Sequence, residues 1–369
     1  MNIRLIGEPK VIMSNPESLH GYFAWPTVKR LKDGRLAAVA SGYRLGHVCP
    51  FGKTVISYSE DNGESYSIPA PVIDTPLDDR DGGLCPFGEN GFVVTSFNNT
   101  VAFQRETAAN IGDPLSRAYR NAYLDLVPSE AEQRYLGSTF RVTLDGGKTF
   151  SDIGISPVSS PHGPIELRSG KLLWVGRAFE ANDPPTSDDY LKAYYLDPVS
   201  RKFSYIGTIP QVMRDGEPVR AYEPYTYERE DGRLICHLRV PTISEPRSHT
   251  TYQSTSDDGG KSWTTPVPLL GGGDLDGTPC HIFKHSSGVL VSVYGKRKPP
   301  FGVVAMISAD GGESWDTSDY RIYTNSISPD LGYPSTVELD DGTCLTVFYA
   351  KETASSPCVI MQQKWVLEP

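Results

Sequence analysis

Six copies of one short pattern recur along this chain: an apolar run, a tight glycine turn and a second apolar run. They read VKRLKDGRLAAV around Gly34, PFGENGFVVTSF around Gly91, IELRSGKLLWV around Gly170, YEREDGRLICHL around Gly232, IFKHSSGVLVSV around Gly288 and VELDDGTCLTVF around Gly342. The spacings are 57, 79, 62, 56 and 54 residues. Repetition at such a period marks units that bury their apolar faces on one another. Glycine supplies the positive φ expected of a two-residue hairpin turn. A second pattern, Ser/Thr-x-Asp-x-Gly-x-Ser/Thr-aromatic, appears as SEDNGESY, TLDGGKTF, SDDGGKSW and SADGGESW, with a degenerate copy, LDPVSRKF, at Leu196 to Phe203. Its Asp is placed to accept backbone N–H groups of its own turn, and its aromatic to pin the loop to the sheet.

Each unit therefore reads as a four-stranded antiparallel meander. The glycine turn joins its first two strands and the Asp-centred loop its last two. Six units make an all-β, six-bladed β-propeller, one domain over residues 1–369. The sixth unit runs out after its third strand, CVIMQQKWV; the N-terminal segment, around Ile3 to Leu5 or Pro9 to Met13, is expected to supply the fourth and close the ring. With 35 Gly, 30 Pro and 20 Tyr, the chain carries what many turns and short strands need. The six cysteines are scattered, without a CxxC, and read as reduced core residues. Residues 98–136 lengthen the second unit by a polar stretch rich in Tyr and Arg. It reads as an insertion on the face of the channel mouth: a lid, a rim or an oligomer contact.

In a meander, alternate turns lie on opposite faces. The loops between second and third strands thus share one face with the entries to the innermost strands, and those entries ring the channel mouth. The residues there are Trp25, Asp81, His162, Glu223, Asp276 and Tyr333. Around them the loops bring Arg44, His47, Arg80, Arg177, Arg239, Arg297 and Lys351. So many cations at one opening of an acidic protein imply an anion site, since guanidinium grips a carboxylate bidentately. Any one of these arginines is equally served by a rim Asp or Glu. His162 suits a sugar hydroxyl or a neighbouring loop, Trp25 a sugar face or the channel wall, and Asp276 a rim role.

Tyr333 and Glu223 form the chemical pair. Ionising a phenol at neutral pH costs about 4 kcal/mol, so a carboxylate that accepts its proton lets it attack without prior ionisation. A neutral nucleophile suits a reacting carbon that bears a carboxylate, the exception to the two-carboxylate rule of glycosidases. The bland alternatives are an aromatic channel wall for Tyr333 and a salt bridge for Glu223.

The Asp-centred repeats, with Glu223 ahead of a hairpin ending in Arg239, YGKR ending in Arg297, and Tyr333 opening the last blade, resemble the sialidase (neuraminidase) superfamily over essentially the whole chain. The resemblance implies Asp-boxes, a Tyr333 nucleophile with Glu223 as its base, Arg239 and Arg297 as two of three arginines clamping the substrate carboxylate, and Asp81 contacting the sugar's substituents. The family's first-blade Arg-Ile-Pro stands here as Ala24-Trp25-Pro26, and the loop that carries its acid/base Asp has no carboxylate, which leaves His47 or Asp81 for that role and Arg44 as a stand-in clamp.

The expected function is an exo-acting, retaining glycoside hydrolase that removes a terminal acidic sugar, most simply sialic acid. A uronate-directed lyase, a hydrolase on another acidic sugar, or a non-catalytic glycan-binding propeller are the alternatives. A net charge of −10 without a basic tract argues against nucleic acid. No apolar run reaches the roughly 18 residues of a membrane helix. The N-terminus, MNIRLIGEPKVIMSN, lacks the apolar region of a signal peptide, so a cytoplasmic enzyme is expected. No HExxH or Cys/His cluster calls for a metal or cofactor. The oligomeric state is open.

Overall fold

The computed structural model describes residues 1–178, 191–242, 248–269, 275, 279–324 and 326–369. They form six four-stranded antiparallel sheets in a ring. Blade 1 runs through Tyr22–Arg30, Leu36–Arg44, Lys53–Ser59 and Ala70–Ile73. Blade 2 uses Arg80–Phe87, Gly91–Phe97, Ser138–Thr143 and Gly154–Ser156. In blade 3 the innermost strand is split into Val158–Ser159 and Ile165–Glu166, both paired with Leu172–Ala178, followed by Leu191–Asp197 and Lys202–Ile209. Blades 4 and 5 begin at Tyr222–Glu228 and His281–Lys284, and blade 6 at Gly332–Glu338.

The ring closes where expected. The N-terminal strand Asn2–Met13 pairs antiparallel with Cys358–Glu368, from Asn2 opposite Glu368 to Met13 opposite Ile360, as the outermost strand of blade 6. Both candidate stretches, around Ile3 and around Pro9, belong to this one bulged strand. The last sheet thus gains the strand that its own segment lacks, and its open edge moves outward.

The core lies between blades and not on the axis. Val39, Ile56 and Val72 of blade 1 pack on Leu84, Phe92 and Val94 of blade 2. Val28 and Ala38 pack on Val337, Leu345 and Val347 of blade 6. Four further clusters fill the remaining interfaces. The channel is thereby left to polar and aromatic side chains. All six cysteines are buried and none forms a disulfide.

The glycine turns differ from expectation in length. In five of them the residue three before the glycine accepts its N–H, and the ladder resumes one residue after it, as in Gly34 N to Leu31 O (3.0 Å) and Leu31 N to Arg35 O (2.8 Å). These are three-residue connections, in which the glycine at positive φ (91° at Gly34) takes up the extra residue as a bulge. In the second copy Phe87 pairs with Gly91, and Gly88 (φ 52°) takes the positive φ instead. The Asp-centred loops close on themselves: Asp61 Oδ1 accepts from Ser65 N (2.8 Å), and Ser59 Oγ accepts from Gly63 N (2.8 Å). They also tie adjacent blades, through Tyr66 to Gln362 and Trp315 to Gln253.

Residues 98–136 fold as three helices: α1 (Val101–Ala109), α2 (Pro114–Leu124) and α3 (Ala131–Tyr135). The signals are local. Thr100 caps α1 by accepting from Phe103 N, and Asp113, followed by Pro114, caps α2 by accepting from Ser116 N (2.7 Å).

Ring closure through the N-terminal strand has a measurable consequence. Met13 is 1% exposed and Leu5, on the same strand, 41%. Met13→Ala should lower unfolding stability by about 2–5 kcal/mol and Leu5→Ala by less than about 1 kcal/mol, read from urea midpoints. Equal small effects would mean that the strand does not seal the ring.

Candidate active site

Four blades enter the channel through the same backbone irregularity. Trp25, Asp81, Glu223 and Tyr333 have φ of 54°, 47°, 50° and 51°. Each lies at a register break between the first two strands of its blade: Ala24/Thr27, Arg80/Gly83, Tyr222/Tyr225 and Gly332/Ser335. A bulge there re-aims one side chain into the channel. For a residue with a Cβ the left-handed conformation costs roughly 1–2 kcal/mol. Four such positions, at corresponding points of four blades, mark a candidate site.

At its centre Tyr333 Oη donates to Glu223 Oε1 at 2.5 Å. Arg239 Nη1 donates to Glu223 Oε2 at 2.7 Å and lies 3.5 Å from the Tyr333 oxygen. Burial pushes Glu223 up, but Arg239 and the Tyr333 hydrogen bond outweigh it, so the carboxyl is held below its usual range. Burial, with the charges of Glu223 and Asp81, holds the Tyr333 phenol well above its usual value. The pair is therefore a neutral phenol aimed at an ionised carboxylate. Arg297 braces the same corner, donating to Leu331 O (2.9 Å) and to Tyr349 Oη (2.7 Å), with its guanidinium 5.9 Å from the Tyr333 ring centre.

Asp81, Arg177, Phe97 and Tyr222 line a cleft that opens beside Glu223. Asp81 is buried, and its Oδ1 has no hydrogen-bond partner among the described residues. Burial, opposed by Arg80 and reinforced by Glu223, pushes its carboxyl up to about 7.

Trp25 is 1% exposed and covered by Arg80, whose guanidinium lies 4.1 Å from the ring centre. Arg44 does not take a clamp position. It is fully buried in an ion pair with Asp78 at 2.7 Å, and its remaining donors go to Ser41 and to loop carbonyls. The sequence pattern showed its charge but not that the fold spends that charge internally. His47 stands at the mouth with its side chain half exposed, its Nδ1 3.1 Å from Tyr22 Oη and 3.4 Å from Asp330 Oδ1. The Trp25 and His47 rings meet edge to face at 5.0 Å. His162 is not part of this group. It is buried in the channel wall against Tyr225 and His281, with Nδ1 2.9 Å from Thr27 Oγ1, and burial and then Lys29 push it down to about 3. Lys351 pairs in the ladder with Cys358. Asp276 lies outside the described residues.

Asp330, Tyr22 and Tyr349 belong to the site and were not singled out from sequence. The first was readable, three residues before Tyr333; the two tyrosines carry no local signal. No group of three or more His, Cys, Asp or Glu suited to a metal occurs among the described residues.

No protein-family model matches the chain, and no curated protein matches its sequence. Solved structures match its shape. A Dyadobacter fermentans protein of unknown function aligns over 100% of both chains with a TM-score of 0.75 at 20% identity. The intramolecular trans-sialidase of Ruminococcus gnavus aligns over 98% of this chain and 99% of its own, with a TM-score of 0.62 at 14% identity. The NanB sialidase of Streptococcus pneumoniae aligns over 98% and 71%, at 0.63 and 13%. The fold is sialidase-like. In this sialidase-like propeller Tyr333 of blade 6 and Glu223 of blade 4 meet at a channel mouth whose cations are largely engaged by the protein itself.

The raised Asp81 carboxyl makes a signed prediction. A carboxyl whose folded pKa exceeds its unfolded value costs stability as pH rises from about 4 to about 7 and reaches its full cost above. Asp81→Asn should therefore stabilise the protein at about pH 8 by up to about 4 kcal/mol, and far less at about pH 4. A difference in urea midpoint that stays flat across this range would contradict the assignment.

Proposed function

We propose that this protein is an exo-acting retaining glycoside hydrolase that removes a terminal acidic sugar of the sialic acid class. The observation that carries the reading is the 2.5 Å hydrogen bond from a neutral Tyr333 to a Glu223 carboxylate held by Arg239. The neighbours named sialidase and intramolecular trans-sialidase support it.

The chemistry follows from the groups. As Tyr333 Oη bonds to the anomeric carbon, its proton passes to Glu223. The glycosidic C–O bond breaks, and its electron pair leaves with the aglycone oxygen, which His47 protonates. In the second half His47 takes a proton from water, the water oxygen bonds to the anomeric carbon, and Tyr333 departs with its proton returned by Glu223. Two displacements retain configuration. Asp330 and Tyr22 orient the imidazole. Arg239 and Arg297 face the substrate carboxylate, and Asp81 offers a carboxyl to the sugar's substituents. Arg80 and Arg177 supply further positive charge at the rim.

One observation favours a second reading. Trp25 occupies the first-blade bulge where the resemblance implies an arginine, and Arg44 is unavailable to replace it. A two-arginine clamp suits a hydrolase acting on another acidic sugar, such as a uronic acid.

The test is turnover of a fluorogenic aryl sialoside. Tyr333→Phe should reduce it by about a thousandfold or more, with the circular dichroism spectrum unchanged. An inert wild type sinks the sialic acid assignment; aryl uronosides then test the second reading, and an ultraviolet-absorbing unsaturated product would reveal a lyase. His47→Ala should slow alkyl glycosides by about 10²–10⁴-fold but aryl glycosides with good leaving groups far less. Equal losses on both would remove His47 from the acid role.

A further inference from the structure

The loop that carries His47, between Arg44 and Lys53, makes few backbone bonds of its own. Instead its consecutive carbonyls are each taken by a guanidinium. Gly46 O accepts from Arg44 Nε (3.2 Å), His47 O from Arg44 Nη2 (3.0 Å) and Arg80 Nη1 (2.7 Å), and Val48 O from Arg120 Nη1 (2.5 Å). The next residue is held by its other polar group, Cys49 N donating to Asp78 Oδ2 at 3.1 Å. Asp78 in turn takes Arg44 and, at 3.0 Å, the side-chain amide of Gln104.

Two of these ties come from the helical insertion. Arg120 lies on α2 and is 5% exposed; Gln104 lies on α1 and is 2% exposed. Burying a guanidinium and an amide on small surface helices is costly unless their polar groups find partners; the Arg120 guanidinium finds the Val48 carbonyl of this loop, and the Gln104 NH2 finds the Asp78 carboxylate that holds it, although the Gln104 oxygen has no partner among the described residues. Phe51 adds an apolar contact, its ring stacked on Tyr119 of α2 at 4.8 Å. At Gly52 the loop backbone lies directly against the Arg44–Asp78 ion pair. A Cβ on Gly52 would lie 2.0 Å from Arg44 Nη1 and 2.5 Å from Asp78 Oδ1.

From these contacts we propose that the helical insertion is the device that positions His47, with Arg120 as its principal positioning residue. This rests on His47 being the acid/base of the proposed reaction. Arg120 touches neither His47's ring nor the Tyr333–Glu223 pair. It acts through the Val48 carbonyl, fixing the backbone so that the imidazole meets Asp330 and Tyr22 on one side while Arg80 and Arg44 hold its carbonyl on the other. Charge-assisted bonds of this kind are about twice as strong as neutral ones, and three arginines on three consecutive carbonyls leave the loop one conformation.

The test compares Arg120→Met, Arg120→Lys and Tyr119→Ser with the full-length wild type. Tyr119 is 45% exposed, so its replacement keeps the effect measurable if Arg120→Met does not fold. The primary readout is the pH titration of the His47 ring by NMR on histidine-labelled protein. With seven histidines in the chain, its signal is assigned by its loss in His47→Asn. Arg120→Met and Tyr119→Ser should move the His47 midpoint toward that of free histidine and broaden its signal; Arg120→Lys, which keeps a donor, should leave it near wild type. On an alkyl glycoside Arg120→Met should lower kcat by about tenfold or more, with KM changed by less than about threefold and the alkaline limb of the kcat profile displaced. An unchanged His47 titration in both Arg120→Met and Tyr119→Ser overturns the proposal. A protein with no glycosidase turnover would overturn the functional reading alone, because the NMR titration still decides whether the insertion positions His47.

Discussion

Each blade buries its apolar side chains against two neighbours, so the ring has to close. A sheet facing an absent neighbour would expose one of the six inter-blade clusters. The N-terminal strand supplies that closure by completing the blade at the other end of the chain. Because the apolar surface is consumed between blades, the axis is free for polar groups, and a channel lined by charged and aromatic side chains carries no penalty to the core. The Asp-centred loops reinforce the arrangement at the outer turns, where side chains of one blade bond the glycine carbonyls of the next, as Arg35 does to Gly146 and Gln253 to Gly312.

The site uses the strain that this ring tolerates. One bulge, repeated in four blades, holds Trp25, Asp81, Glu223 and Tyr333 in left-handed conformations that none would adopt alone. Paired strands on either side of each break hold the backbone there. The reward is geometric: side chains that would alternate along a strand are turned to meet one another, and Tyr333 reaches Glu223 from a different blade.

The channel mouth gathers positive charge, but most of it is already engaged. Arg239 holds Glu223, Arg297 holds Tyr349 and the Leu331 carbonyl, and Arg44 and Arg80 hold the loop bearing His47. The arginines therefore do two jobs at once. They favour an ionised Glu223 beside the neutral Tyr333 and stiffen the loops around that pair, and the charge facing the mouth is smaller than their number suggests. Counting cations in the sequence overstates an anion site, because a count does not distinguish a guanidinium facing solvent from one paired with a buried aspartate such as Asp78.

The sequence alone determined the number of blades, the closing strand and where the innermost strands of blades 1, 2, 4 and 6 begin, because these follow from local signals: apolar runs, glycine turns and Asp-centred loops that recur along the chain. It determined the pairing of Tyr333 with Glu223 as an expectation, since both begin innermost strands. Only the tertiary structure decided which cations face the mouth. Arg44 and Arg297 read alike as arginines ending second strands, yet one is sealed against Asp78 and the other braces Tyr333. It also decided that His162 sits within the channel wall, that Asp330 and Tyr22 meet His47, and that the insertion grips the loop of blade 1. These are contacts between residues up to 308 positions apart, and no local pattern encodes them, because burial and partnership are properties of the closed ring.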